Sequence, residues 1–247
     1  MTRGAIVIGA SSGIGEALAR ELAEAGYEVG LAARRTERLR EIGEELPTQS
    51  YVATMDVTDT EDAREGFFEL AEAMPSVDVV VLNAGVGHSN DDLEWDLERE
   101  VIDVNVRGFV ALATAAMAYF ETENRRDYSS ERDGHLVGIS SVAAHVGMGG
   151  VQSYSASKAF VSNYLEGLRA RGRDSDADVK ITTIEPGYVD TELSMGRFWE
   201  CSVETAASQI GRAIEKERTH VYVTRRWRLV AWLLDHTPNF LLRRVMG

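Results

Sequence analysis

Short apolar runs alternate along the chain with longer segments that are apolar on one side. Residues 5–8 (AIVI), 28–32 (EVGLA), 50–54 (SYVAT), 78–82 (DVVVL), 135–140 (HLVGIS), 180–184 (KITTI) and 220–223 (HVYV) are rich in aliphatic and β-branched side chains. Runs this short, with no consistent polar face, predict strands buried on both sides. Between them apolar residues recur at helical spacing. Leu18 and Leu22 lie within 15–25; a charged segment spans 36–46; Ala63, Phe67 and Leu70 follow Thr60; further helices are expected over 95–120, 153–171 and 202–217. Gly26 and Pro75 stand as stops, and Thr60 stands where a helix cap is expected. This alternation predicts repeated βαβ units. The expected fold is therefore α/β: a single Rossmann-like doubly wound parallel sheet with helices on both faces. No linker divides residues 1–247, so one domain is expected. Segment 122–134 (TENRRDYSSERDG) is polar and breaker-rich, an exposed loop before the fifth strand.

Composition narrows the class. A chain of 247 residues, 44% hydrophobic and 27% charged, suits a soluble domain with a substantial core. The formal net charge of −14 argues against broad nucleic-acid binding. Of the 26 basic residues only Lys158, Lys180 and Lys216 are lysines, a bias shared by proteins of salt-loving organisms and by products of GC-rich genomes. Cys201 alone builds neither an internal disulfide framework nor a cysteine zinc site, and a cytoplasmic location is expected. The start, MTRGAIVIGASSGIG, lacks a signal-peptide pattern, and no run of 18 apolar residues predicts a spanning helix.

Gly9-Ala10-Ser11-Ser12-Gly13-Ile14-Gly15 follows the first strand and opens a helix. Glycines here let backbone approach a pyrophosphate, and the helix N-terminus offers unpaired N–H groups to an anion. No G-K-[ST] follows, so a Walker loop is excluded. The second strand ends in Ala32-Ala33-Arg34-Arg35. A free ribose 2′-hydroxyl calls for a carboxylate at that point, whereas guanidinium groups pair with a 2′-phosphate. NADP(H) is thus expected over NAD(H), with Arg34 better placed than Arg35.

Tyr154 and Lys158 are four apart on one helix face, and Ser141 follows the fifth strand. A phenol holds its proton to about pH 10, and a neighbouring ammonium favours the phenolate. The pair is a candidate general acid/base, with Ser141, rather than Ser140, hydrogen-bonding the substrate oxygen.

With GASSGIG, Asn83-Ala84-Gly85, Asn105-Val106-x-Gly108, Ser141, Tyr154-x-x-x-Lys158 and Pro186-Gly187 in order, the chain closely resembles the classical short-chain dehydrogenase/reductase family over roughly 3–192. The resemblance implies NAD(P)(H)-dependent interconversion of an alcohol and a carbonyl compound. It further implies that Lys158 holds the nicotinamide ribose and that Asn105 serves a proton relay to Lys158. Asp56 and Val57 would contact the adenine, and Asn83, Ala84 and Gly85 the adenosine ribose. Pro186, Gly187, Val189 and Thr191 would orient the nicotinamide. His145, Met148 and Val151 lie between Ser141 and Tyr154 and are candidate substrate contacts. His88 and His145 have no partners at metal-ligand spacing, and no metal is expected.

The C-terminal segment departs from the family. Trp227, Leu229, Val230, Trp232, Leu233 and Leu234 crowd a short helix, Pro238 breaks it, and Phe240, Leu241, Leu242 and Val245 form a second apolar patch. Arginines 225, 226, 228, 243 and 244 flank it. Three readings stay open for 225–247: packing on the domain's own core, a dimer contact or pocket lid, and peripheral membrane contact. A homodimer or homotetramer is expected through helices 103–120 and 153–171. The variable loop 192–202, with Met195, Phe198 and Trp199, points to an apolar or bulky small-molecule substrate. A non-catalytic nucleotide-binding or scaffold protein on the same fold is the rival reading.

Overall fold

The computed structural model describes residues 3–122, 134–172, 177–191, 198–238 and 242. Strands β1 (Arg3–Ile8), β2 (Tyr27–Ala33), β3 (Ser50–Thr54), β4 (Val79–Leu82), β5 (Gly134–Ile139), β6 (Val179–Pro186) and β7 (His220–Val223) form one sheet in the order β3-β2-β1-β4-β5-β6-β7. Every neighbouring pair is parallel. Helices α1 (Gly13–Glu24), α2 (Thr36–Glu45), α3 (Thr60–Ala73), α4 (Trp95–Ile102), α5 (Phe109–Thr122), α6 (Gln152–Gly172), α7 (Val203–Glu215) and α8 (Trp227–His236) fill the crossovers and the C-terminal side. The expected doubly wound α/β fold is the one observed.

The pleat divides the strands between two cores. Ala5 and Val7 of β1, with Val79 and Val81 of β4, pack among Leu18, Leu22, Leu39, Ile42 and Ile210 of α1, α2 and α7. Ile6, Ile8, Val80 and Leu82 face the opposite core, among Phe67, Leu112, Phe120, Val161 and Leu165 of α3, α5 and α6. Alternate residues point to opposite faces, so a strand with helices on both sides must be apolar throughout.

Several boundaries differ from the pattern-based expectation. Asp59, not Thr60, caps α3, its side chain accepting from the Asp62 amide. The long helix over 95–122 contains a π-helical turn at Asp103–Gly108. The combined run is long and apolar enough to cross a membrane, yet over half of its apolar window is buried inside this domain. β6 extends two residues past Ile184, because Glu185 and Pro186 pair with Tyr222 and Val223 of β7.

The tail helix α8 buries Trp227 and Ala231 against the domain and leaves Leu229, Trp232 and Leu233 exposed. Through these two residues α8 packs on the domain. Loop 122–134 beyond Thr122 and before Gly134, Met195, and Phe240, Leu241, Arg243, Arg244 and Val245 lie outside the described residues.

Candidate active site

The strand order reverses between β1 and β4, and open parallel sheets bind ligands beyond the C-terminal ends of such strands. Asn83 ties the two ends together, donating from Nδ2 to the Gly9 carbonyl at 3.0 Å. Gly9 has φ +86°, and a Cβ there would stand 2.6 Å from the Ala84 nitrogen. A Cβ on Gly15 would lie 2.1 Å from the Gly9 carbonyl oxygen. Close backbone approach therefore excludes side chains at both positions. Ser12 precedes α1 without making a side-chain cap, so its hydroxyl leaves the first-turn amides open to an anion. Ser11 is buried and Ile14 packs beside the core that holds Leu18. Gly13 faces the loop after β6: a Cβ on it would meet Thr191 Cγ2 at 3.2 Å. This bare-backbone cradle fits the pyrophosphate of a nicotinamide dinucleotide.

The arginine closest to the cradle is Arg35 rather than the favoured Arg34. Its Nη2 donates to Ser12 Oγ at 2.7 Å and to Ser11 Oγ at 3.1 Å, and its Nε reaches Ser11 Oγ at 3.2 Å. The Gly9 amide donates to the Ala32 carbonyl at 2.8 Å, which draws the ends of β1 and β2 together beneath Arg35. Arg34 is exposed and acts on Asp56. The Asp56 carboxyl lies below the usual carboxylate range, chiefly because the Thr58 amide donates to it at 3.0 Å, with the Thr58 hydroxyl and Arg34 adding to this. Val57 is buried beside it.

Helix α6 brings Tyr154 and Lys158 to the ends of β5 and β6. The Lys158 ammonium lies 5.7 Å from the Tyr154 ring centroid and is 5% exposed. Burial lowers Lys158 to about 8. Burial also raises the Tyr154 phenol, against the opposing pull of a hydrogen bond with Ser141. The expected lowering of the phenol by its ammonium neighbour is not what the structure shows: burial raises the phenol and the opposing pull comes from Ser141 alone, since low-dielectric surroundings penalise both charged forms. Ser141 Oγ also lies 3.4 Å from the Pro186 carbonyl oxygen. Ser140 is buried and donates to the Lys158 carbonyl at 2.8 Å, bracing α6 against β5.

Asn105 is 1% exposed within the π-helical turn. Its Nδ2 donates to the Val86 carbonyl at 2.8 Å and to Ser157 Oγ at 3.0 Å, while its Oδ1 accepts from the Val86 amide at 2.8 Å. A Cβ on Gly85 would meet Lys158 Nζ at 3.3 Å and Asn105 Oδ1 at 3.4 Å, so Gly85, Asn105 and Lys158 adjoin one another.

Among the proposed substrate contacts, His145 is engaged elsewhere. Its Nε2 meets Glu185 Oε2 and its Nδ1 meets Asp235 Oδ1, both at 2.8 Å. With both ring nitrogens committed to carboxylates, it has none left to hydrogen-bond a substrate. Met148 and Val151 are half-buried in the loop before α6. Val189 is buried and bridges to Cys201, which pins the base of the variable loop. Two neighbours of the site escaped the sequence reading, Tyr188 beside Tyr154 and Asn90, buried and bonded to Glu98 in the loop after β4, while Trp227, read from the sequence only as part of the tail, lies against Gly187. None carries a local motif.

The short chain dehydrogenase family matches residues 3–200, and the chain belongs to that family. It is an NAD(P)-dependent oxidoreductase of the short-chain type. An uncharacterized oxidoreductase of Myxococcus xanthus (strain DK1622) is 38% identical over 197 residues, covering 78% of this chain and 74% of the relative. The farnesol dehydrogenase of Aedes aegypti is 37% identical over 198 residues, covering 76% and 78%. Among solved structures, an alcohol dehydrogenase of Thermococcus sibiricus complexed with 5-hydroxy-NADP superposes with TM-score 0.76 at 25% identity, over 89% of this chain and 95% of that one. A short-chain dehydrogenase of Burkholderia cenocepacia J2315 matches in fold with TM-score 0.82, over 100% of this chain and 99% of that one, at 24% identity.

Proposed function

We propose that this enzyme prefers NADP(H) and interconverts an apolar alcohol and its carbonyl compound. The observation that carries the cofactor choice is the end of β2, where Ala33 stands in place of a carboxylate and Arg34 and Arg35 follow. Arg35, whose guanidinium already holds the Ser11 and Ser12 hydroxyls, and exposed Arg34 would pair with a 2′-phosphate when the cofactor is bound. The Thermococcus sibiricus relative was captured with an NADP derivative, in keeping with this choice.

The bound cofactor supplies or accepts the hydride, and the protein manages the proton and the geometry. In reduction, the Tyr154 hydroxyl gives its proton to the carbonyl oxygen; in oxidation, it takes that proton back. Ser141, hydrogen-bonded to Tyr154, donates to the same oxygen as charge develops there. Lys158 would hold the nicotinamide ribose and favour the phenolate after proton transfer. Asn105 fixes Val86 and Ser157 around Lys158.

Phe198 and Trp199, at the end of the variable loop, stack with centroids 4.6 Å apart and meet Trp227 edge-on, forming an aromatic wall. That wall, together with the farnesol dehydrogenase relative, supports an apolar substrate. The test is a fluorescence titration with NADPH and NADH, followed by NADPH oxidation with a panel of straight-chain aldehydes and farnesal. NADPH binding at least about tenfold tighter than NADH, a difference of about 1.4 kcal/mol, is expected. Equal binding, or turnover confined to small polar carbonyls, overturns the reading. A homodimer or homotetramer through α5 and α6 belongs to the same proposal, and light scattering of the purified chain tests it.

A further inference from the structure

We propose that His145 is a positioning residue that joins the C-terminal helix α8 to the turn carrying Ser141, so that α8 holds this serine in register with Tyr154. The proposal rests on the reading of Ser141 as the partner of the substrate oxygen. Ser141 caps the short 3-10 turn Val142–His145, its hydroxyl accepting from the Ala143 amide at 3.1 Å. His145 closes the same turn. One side of its ring meets Glu185 and the other meets Asp235 of α8. A neutral imidazole has one donor; two carboxylate partners call for the doubly protonated ring.

Glu185 anchors one end of this chain. It is 2% exposed, accepts from Ser162 of α6 at 2.8 Å on Oε1, and lies 3.1 Å from His220 of β7. Tyr222 of β7 also hydrogen-bonds Glu185, and the Arg169 and Arg228 charges act on Glu185 and Tyr222 respectively. The next residue is Pro186, whose carbonyl neighbours Ser141 Oγ. The Asp235 end is different. Its side chain is 47% exposed and borders a cavity of about 350 Å³ lined by His220, Tyr222, Arg228, Trp232 and Asp235. Cutting the Asp235 link therefore loosens α8 without stranding a charge in the core.

The same helix grips the neighbouring loop. Trp227 lies so close to Gly187 that a Cβ there would fall 1.9 Å from its Cε2 atom. Tyr188 meets the indole edge-on at 5.6 Å. α8 is thus fastened at its first turn to the loop after β6 and at its last turn to the loop after β5. A strap attached only for bulk stability would not need its last turn to reach the turn that begins at Ser141.

The test compares the full-length protein with Asp235→Ala and His145→Gln by hydrogen–deuterium exchange and by steady-state kinetics with the aldehyde panel. Exchange at Val142–His145 should accelerate about fivefold or more in Asp235→Ala, as expected when a local opening becomes easier. The Gly9–Gly15 turn should be unchanged. The kcat should fall about 10- to 100-fold through misplacement of Ser141, with NADPH dissociation constants within about twofold of wild type. Faster exchange confined to α8, with the Val142–His145 turn unaltered, overturns the proposal. Tyr154→Phe, run in parallel, separates the two readings: full activity in that variant refutes the acid–base assignment, while the exchange measurement judges the strap independently.

Discussion

Lys158 donates from Nζ to the carbonyl of Ile139 at 3.0 Å, which fastens the ammonium to the strand that leads directly into Ser141. The bond fixes the charged end of α6 at the mouth of the cofactor cleft. It replaces only part of the water that a free ammonium would hold, and burial lowers Lys158 from its ordinary 10.5 to about 8.

Keeping that charge costs stability. A base whose folded pKa is lowered destabilises the fold wherever it remains protonated, and the cost is relieved as pH rises from about 8 towards 10.5. Lys158→Met should therefore raise the melting temperature at pH 7 by about 2–4 °C, allowing for the lost hydrogen bond. Activity should vanish in the same variant. Calorimetry at pH 7 and pH 10 checks this, and the difference between variant and wild type should shrink at the higher pH.

Tyr154→Phe removes the transferable proton and little else. The kcat should fall by about 10²–10⁴-fold, the usual contribution of a positioned general acid, with NADPH affinity unchanged. Ser141→Ala should also reduce kcat. Because Ser141 lowers the Tyr154 pKa, that variant should shift the alkaline rise of alcohol oxidation to higher pH. Stopped-flow measurement across pH 7–10 reads both effects.

On the proposed NADP(H) preference, Arg34 and Arg35 would divide the recognition of the 2′-phosphate. Each alanine variant should weaken NADPH by about 1–3 kcal/mol while leaving NADH nearly unaffected. Arg35→Ala should be the more disruptive for the turn, since it also releases Ser11 and Ser12. Titration of both cofactors against both variants separates these contributions.

Gly187 and Trp227 form a socket and plug. Gly187→Ala forces a methyl group into the indole and should destabilise the fold by about 1–3 kcal/mol or more. Combining it with Trp227→Leu should recover part of that loss, giving a favourable coupling in a double-mutant cycle. Denaturant unfolding of the four proteins provides the measurement.

The His145–Glu185 pair sets a pH window. Glu185 hydrogen-bonds raise His145 from 6.5 to about 9, so its stabilisation is complete below about 6.5 and is lost as pH rises through about 9. Burial alone would raise Glu185, but His145 and His220 outweigh it and hold the carboxyl at about 2; its contribution is present above about 4.5 and is lost as pH falls through about 2. His145→Gln should cost on the order of 2 kcal/mol at pH 6 and much less at pH 10. Thermal unfolding across that range tests the sign.

The sheet was legible because strands buried on both faces cannot avoid continuous apolar runs, and the Gly9–Gly15 turn, Tyr154 and Lys158 carry short-range spacing. The remainder depended on partners distant in sequence. Glu185 and Pro186 look like a strand end, yet pairing with β7 carries the strand through them. Arg34 and Arg35 are equivalent in composition, and only the convergence of β1 with β2 selects the one that reaches the serines. His145 resembles a pocket residue until the fold brings Asp235, ninety positions later, to its ring.

The plugged socket at Gly187 also imposes an order on synthesis. A nascent chain that has emerged only through β6 already carries Tyr154, Lys158 and the glycine turn, but the surface of Gly187 has no indole to cover it. The loop after β6 therefore acquires its final packing only once α8 has emerged and docked on it.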